Sequence, residues 1–346
     1  MEQEKFNQSA QLMKRNTNKT QDKWCIYGAG AAGCTLAAQL DNKVTVSLIA
    51  RGNHLIALQQ KGLHFTDSKG NDSIHHFFAT DSSNDLPPQD IIFLAGKSQQ
   101  LPEMATNIAP LLHKETIIIP ISNGIPWWFF HGTEFEREIN LESQLDPCGI
   151  LHKNIDQDRI IGGLLYMGAS ITNLGHVINR TQTRLIIGEP NPHKNSRCQP
   201  IVNILDKAGF KKPLSNNIRV DIWKKLCWNT AFNPLSVIYQ LPNGGLIDDP
   251  KIRNRAIAIM QEMQIIAAAL NLPLELDINS HIAINERSKN HKPSMLQDFE
   301  SNKPLETNAI IDAVVHIANC ININTPNTTD TQQELHTIIQ QKTTPT

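Results

Sequence analysis

The pattern of apolar and polar positions changes character halfway along the chain. After a polar leader over residues 1–22, residues 24–27 form a short apolar run ending in Gly28-Ala29-Gly30-Ala31-Ala32-Gly33, and residues 34–40 continue as a helix. Residues 44–50 alternate apolar and hydroxyl side chains. Residues 90–95 and 116–121 are further apolar strand candidates, with a helical segment near 101–113 between them. Strands alternating with helices imply an α/β domain with a parallel sheet. A middle region, about 149–188, carries β-like runs at 160–167, 175–178 and 183–187, interrupted by Gly and Asn. From about Arg197 the periodicity becomes helical, over 200–208, 218–239, 250–270 and 304–319, and the Thr/Asn/Gln-rich end from Asn324 reads as a modest helix with a frayed tail. The division expected is a leader at 1–22, without fixed structure, an α/β domain over 23–196, and a helical domain over 197–346.

Composition narrows the function classes. The chain has 346 residues, enough for two domains with their own cores, and its 32 Lys+Arg against 33 Asp+Glu leave no basic stripe for a nucleic acid. The longest apolar stretches fall far short of the ~20 residues that cross a bilayer. The leader lacks the apolar core of a secretory signal, so a cytoplasmic protein is expected, with Met13 an alternative start. Six cysteines (Cys25, Cys34, Cys148, Cys198, Cys227, Cys320) form no CxxC pair, and the 13 histidines form no HxxxH or HExxH pattern. Reduced thiols and no bound metal are expected, although ligands distant in sequence could still converge.

Gly28-x-Gly30-x-x-Gly33 sits between a strand and a helix, where a dinucleotide fingerprint belongs. The first glycine permits the tight turn, the second admits a pyrophosphate to the backbone, and the third lets helix and strand pack closely. The other reading is a glycine-rich turn without a ligand. NAD enzymes usually carry an acid about 20 residues further on, for the ribose 2′-hydroxyl. Here the second strand ends Leu48-Ile49-Ala50-Arg51, and a guanidinium suits a 2′-phosphate instead. Lys97, after the strand at 90–95, could add a second positive charge at the same rim. NADP(H) is therefore preferred, the plain alternative for both residues being solvated surface cations.

In the helix that includes 222–235, Lys225, Asn229 and Asn233 are spaced i, i+4, i+8 among Trp, Phe and Leu, within an arc of about 80°. Lys224 points about 100° away. The aligned face reads either as a solvated surface or as the wall of a polar cleft. A lysine in such a cleft can polarise a ketone and protonate its oxygen while a nicotinamide delivers hydride to carbon.

Together these pieces resemble the ketopantoate reductase (2-dehydropantoate 2-reductase) family over about residues 23–319. The pieces are GAGAAG at 28–33, ARGNHL at 50–55, GK at 96–97, NGIP at 123–126, KLCWNTAFNPLS at 225–236, PNG at 242–244 and SMLQDFESNKPLE at 294–306. The resemblance implies a Rossmann-type N-terminal domain, an all-helical C-terminal domain, and reduction of 2-dehydropantoate to (R)-pantoate by NADPH in pantothenate biosynthesis. It implies that Gly28, Ala29, Gly30, Ala31, Ala32, Gly33, Arg51, Lys97 and Asn123 bind the cofactor. Lys225 would be the general acid, with Glu306 the acidic residue beside it. Asn123 would also help place the reacting oxygen of the substrate, Asn229, Asn233 and Asn243 would bind substrate hydroxyls or support the lysine, and Ser294 would meet the substrate carboxylate.

Plainer roles exist for several of these. Asn123-Gly124 could be only a loop, Asn243 a turn residue, Ser294 with Gln297 a capping box, and Glu306 a first-turn acid after Pro304. The aromatic run Trp127-Trp128-Phe129-Phe130 could cap a substrate or pack under the sheet, and packing is favoured. The expected partner is a small 2-oxo acid, and the expected state a monomer or homodimer. The alternatives are a reductase of another branched 2-oxo acid or a non-catalytic NADP(H)-responsive binding protein.

Overall fold

The computed structural model describes residues 22–191, 196–286 and 289–343. The expected leader lies outside the described residues except for Asp22. Two compact units form, divided differently from the expected boundary at 196/197: the first runs to Ser122 and resumes at Gly149–Ile218, and the second combines Asn123–Cys148 with everything from Arg219 onward.

The strands of the first unit are β1 (Lys23–Tyr27), β2 (Thr45–Ile49), β3 (Leu63–Thr66), β4 (Asp72–His75), β5 (Phe78–Thr80), β6 (Ile91–Leu94), β7 (Ile117–Pro120), β8 (Gly162–Tyr166), β9 (Ala169–Asn173), β10 (His176–Asn179) and β11 (Arg184–Gly188). Five of them make a sheet in the order β5-β2-β1-β6-β7, with every neighbouring pair parallel. This is the Rossmann-type order. β1 and β6 are buried on both faces apart from Lys23, which is why they read as unbroken apolar runs. A second sheet, β4-β3-β10-β9, is mostly antiparallel, and β8 pairs with β11 as a two-stranded ribbon.

The helix after the glycine turn spans Ala31–Leu40 and buries Cys34, Leu36, Ala37 and Leu40 in the core of this unit. The helix Gly52–Lys61 has no counterpart in the expected elements. It buries only Leu55 and Leu58, too few apolar positions to mark a period. The helix expected over 101–113 stops at Thr106, followed by a 3-10 turn at Ala109–Leu111. Pro110 has no N–H for the carbonyl of Thr106, and its ring crowds that carbonyl, so the α-ladder cannot continue.

The second unit is built from helices around Ile218–Tyr239. Asn243–Asp248, Pro250–Ala269, Ile278–Glu286, Ser294–Glu300, a π-helical segment Asn308–Asp312, Ala313–Cys320 and Pro326–Thr343 follow. Val237, Met295, Ile310, Ile311 and Leu335 bring four of these elements into one apolar cluster. The last helix is firmer than its composition suggests, because the buried Glu262 carboxylate accepts from the backbone N–H groups of Asn327 and Thr328 at 2.9 Å each. The expected frayed tail falls at 344–346, outside the described residues. Trp127, Trp128, Phe129 and Phe130 are all buried, and the Phe129 ring lies 5.9 Å from that of Trp223. The aromatic run therefore packs in the core of the second unit rather than under the sheet.

Among the described residues no helix is long and apolar enough to cross a membrane.

Candidate active site

In the first unit the glycine turn closes as its sequence demands. Gly28 has φ +106°, and a Cβ there would lie 3.0 Å from the Ala95 carbonyl carbon, so the end of β1 runs directly against the chain leaving β6. A Cβ on Gly33 would lie 2.0 Å from the Gly28 oxygen, which forces glycine where helix meets strand. Gly30 differs: a Cβ there would meet nothing within 4 Å. The chain itself does not require glycine at 30, and the open approach it leaves fits a bulky anion. Ala29 is buried, Ala31 and Ala32 are partly exposed, and the helix they open has neither a side-chain cap nor an acid in its first turn. Its N-terminal N–H groups and partial positive charge suit a pyrophosphate.

Arg51 is the N-cap residue of the helix Gly52–Lys61, and its Nη1 lies 2.5 Å from Glu103 Oε1. Glu103 was not anticipated, since nothing in sequence links it to Arg51. Both side chains are more than half exposed, so the pair contributes little and can open for a competing anion. Lys97 is half-buried at the N-cap of the 3-10 turn Ser98–Gln100, its backbone N–H bonded to Gln100 Oε1 at 2.9 Å.

In the second unit three predicted residues from distant parts of the chain meet. Lys225 Nζ donates to Asn123 Oδ1 at 3.0 Å, and Asn123 Nδ2 donates to Glu306 Oε2 at 3.3 Å. Lys225 keeps some exposure as a residue, but burial of its ammonium pulls the pKa down to about 8, opposed in part by the negative charge of Glu306. Glu306 is buried.

Local structure explains how the three are brought together. Gly124, with φ +83°, lets the loop lie directly on the π-helical segment: a Cβ there would fall 2.5 Å from Ala309, whose oxygen accepts from Ile125 N–H at 2.8 Å. The next carbonyl, of Ile310, accepts from Thr230 Oγ1 at 2.8 Å, which ties the segment to the helix carrying Lys225. Glu306 lies just ahead of this segment, its carbonyl accepting from Ile310 N–H at 3.2 Å. It is thus a buried acid ahead of the helix rather than a solvated first-turn residue, and Asn123-Gly124 is more than a loop. Thr230 and the π-helical segment escaped the sequence reading, because a buried threonine on a helix carries no pattern.

The remaining candidates lie on other parts of the same unit. Asn229 and Asn233 follow Lys225 on one face of its helix; Asn229 is half-buried, whereas Asn233 is buried with its amide nitrogen unpartnered. Pro234, inside this helix, removes the N–H that would meet the Thr230 carbonyl. Asn243 is buried and opens a helix instead of forming a turn. Its N–H and that of Gly244 bond the carbonyls of His291 and Lys289 at 3.0 and 2.9 Å, and the chain from there leads into Ser294. Ser294 is exposed and lies one position inside its helix; Pro293 is the N-cap and Gln297 Nε2 bonds the Lys292 carbonyl, so no capping box forms.

A sheet of this order with a glycine turn at the end of β1, and a helical unit holding a desolvated lysine, have the parts that the class of nicotinamide-dependent oxidoreductases requires. The model of ketopantoate reductase PanE/ApbA matches residues 24–192 and that of the ketopantoate reductase PanE/ApbA C terminal matches 217–339, so the chain belongs to the ketopantoate reductase family and is an NAD(P)-dependent oxidoreductase. The 2-dehydropantoate 2-reductase of Mesorhizobium japonicum is 32% identical over 306 residues, 88% of this chain and 94% of the relative. A protein assigned as a ketopantoate reductase from Ralstonia solanacearum MolK2 superposes with a TM-score of 0.84 at 30% identity, over 93% of this chain and 99% of the other. D-mandelate dehydrogenase, solved with NADH and anilino(oxo)acetate, shares the fold at 22% identity with a TM-score of 0.77, over 92% of this chain and 98% of the other.

Proposed function

We propose that this protein reduces 2-dehydropantoate to (R)-pantoate with NADPH, Lys225 acting as general acid. The observation that carries this reading is the Lys225 ammonium, held at 3.0 Å by Asn123 and depressed to a pKa of about 8. Such a group is still cationic at neutral pH, yet it releases a proton more readily than a surface lysine. Ketone reduction adds a hydride to carbon and a proton to oxygen, and the bound reduced nicotinamide supplies the hydride. Lys225 polarises the carbonyl and transfers the proton from Nζ; Asn123 orients that ammonium, and Glu306 keeps its charged form favoured.

Asn229, Asn233 and Asn243 are assigned to substrate hydroxyls, and the unpartnered amide nitrogen of Asn233 supports that role. Ser294 is assigned to the carboxylate. The residues of the glycine turn, 28–33, would hold the pyrophosphate, and Asn123 would also help seat the nicotinamide. Arg51, released from Glu103, and Lys97 would hold the 2′-phosphate, so NADPH is preferred over NADH. The relative from M. japonicum, named a 2-dehydropantoate 2-reductase, supports the substrate.

The test is turnover of 2-dehydropantoate followed by NADPH absorbance. Lys225→Ala should keep NADPH binding and lose about 10²–10⁴-fold in kcat; parental kcat in this variant would exclude Lys225 as the acid. Higher kcat/KM for another branched 2-oxo acid would overturn the substrate assignment. Tight NADPH binding without turnover of any of them would point to a binding protein.

A further inference from the structure

We propose that the outer face of the small sheet is a transition-metal site of the Zn²⁺ class, with His64, His176 and Asp72 as ligands. The three residues are far apart in sequence, so no spacing motif announces them, and neither the glycine turn nor the Lys225 group uses them.

Strand register places them together. β3 and β10 are parallel neighbours with His176 directly opposite His64. Leu63, Phe65 and Val177 turn into the core, so the alternation of a half-buried sheet sends His64, Thr66 and His176 outward. The imidazoles stack with centroids 4.1 Å apart and planes 16° from parallel. Asp72 comes from β4, opposite Thr66, and its Oδ1 lies 3.8 Å from His64 Nε2. One ligand atom from each of the three residues falls within 4.8 Å of the others. Tetrahedral zinc with ordinary Zn–N and Zn–O lengths needs edges of about 3.3 Å. Small rotamer changes in these accessible side chains close the difference.

Thr66 steadies the cluster. Its Oγ1 donates to Asp72 Oδ1 at 2.5 Å and so accepts from the Nε2–H of His176 at 3.1 Å; this pre-places both groups, and metal binding takes the other tautomer of that imidazole, with Nε2 unprotonated. Two imidazoles and one carboxylate select Zn²⁺, Cu²⁺, Ni²⁺ or Co²⁺ over Mg²⁺ and Ca²⁺, which take all-oxygen sets. Three protein ligands leave a coordination position for water. A metal here would clip β4, β3 and β10 together on a sheet that also contacts the helix Ala31–Leu40, the helix opening at the glycine turn. Its expected effect is on the stability of the first unit.

The test uses the metal-stripped full-length protein without an affinity tag. Co²⁺ should produce a saturable visible d–d absorption at one equivalent, abolished by Zn²⁺, and Zn²⁺ should raise the unfolding midpoint while Mg²⁺ does not. His176→Gln and Asp72→Asn should each weaken Co²⁺ binding at least tenfold and remove most of the Zn²⁺ shift. Their metal-free unfolding transitions provide the control for folding. Absence of the Co²⁺ band, equal stabilisation by Mg²⁺, or a Zn²⁺ shift retained in both variants would overturn the assignment.

Discussion

Lys225 shows how a single residue is tuned by opposing surroundings. Burial disfavours its charge and Glu306 restores part of it, leaving a pKa of about 8. As the acid, it should be protonated below that value, so kcat should decline as pH rises through about 8. Because the Glu306 charge raises the lysine pKa, Glu306→Gln should move this alkaline limb to lower pH, by about one unit. The kcat–pH profile checks this, and an unmoved limb would remove Glu306 from the account. Arg51 is the corresponding test on the cofactor side: Arg51→Ala should raise KM for NADPH about tenfold and leave KM for NADH nearly unchanged. Equal effects on both would mean that its guanidinium does not read the 2′-phosphate. The residue types at these positions were legible in sequence because glycine turns and polar faces on apolar helices are local patterns. Glu103, Thr230 and the His64–His176 pair were not, since each acquires its meaning from a partner on another element.

At the scale of elements, the decisive device is the π-helical segment Asn308–Asp312. Successive carbonyls, of Ala309 and Ile310, accept from the loop after Asn123 and from the helix of Lys225, so three chain segments are joined around one turn. π-Segments often mark functional sites, and nothing in the apolar periodicity distinguishes this one from an α-helix. Thr230 is fully buried. Thr230→Val keeps its shape and deletes the donor, so stability should fall by about 1–2 kcal/mol in denaturant unfolding. The alkaline limb of kcat should also shift, and Thr230→Ser should restore both. Unchanged behaviour of the valine variant would show that the tie does not position Lys225. Helices with strong patterns, such as Ile218–Tyr239, were read with their observed bounds, whereas the small sheet and the helix Gly52–Lys61 were read in part or missed. Short elements that bury few residues carry too little periodicity to be seen.

At the scale of the molecule, the chain crosses between its two units three times. Residues 123–148 lie between two parts of the α/β unit in sequence but belong to the helical one. They supply Phe129, packed on Trp223, and the carbonyls of Phe129 and His131 that accept from the buried Arg219 at 2.5 Å each. Burial lowers the Arg219 pKa to about 10 against an opposing pull from Glu136, the mark of a guanidinium held away from water. Residues 197–346 expressed alone would strand this cation and uncover Trp223, so that fragment should lack a cooperative thermal transition in circular dichroism. A sharp transition would refute the division. Sequence alone determined the α/β-then-helical order, the glycine turn and the lysine–asparagine face, because each depends on the spacing of neighbouring residues. Tertiary structure alone decided that Asn123 bridges Lys225 and Glu306, that 123–148 joins the helices, and that two strand histidines face each other. Those facts depend on strand register and on packing between distant segments, which no local spacing encodes.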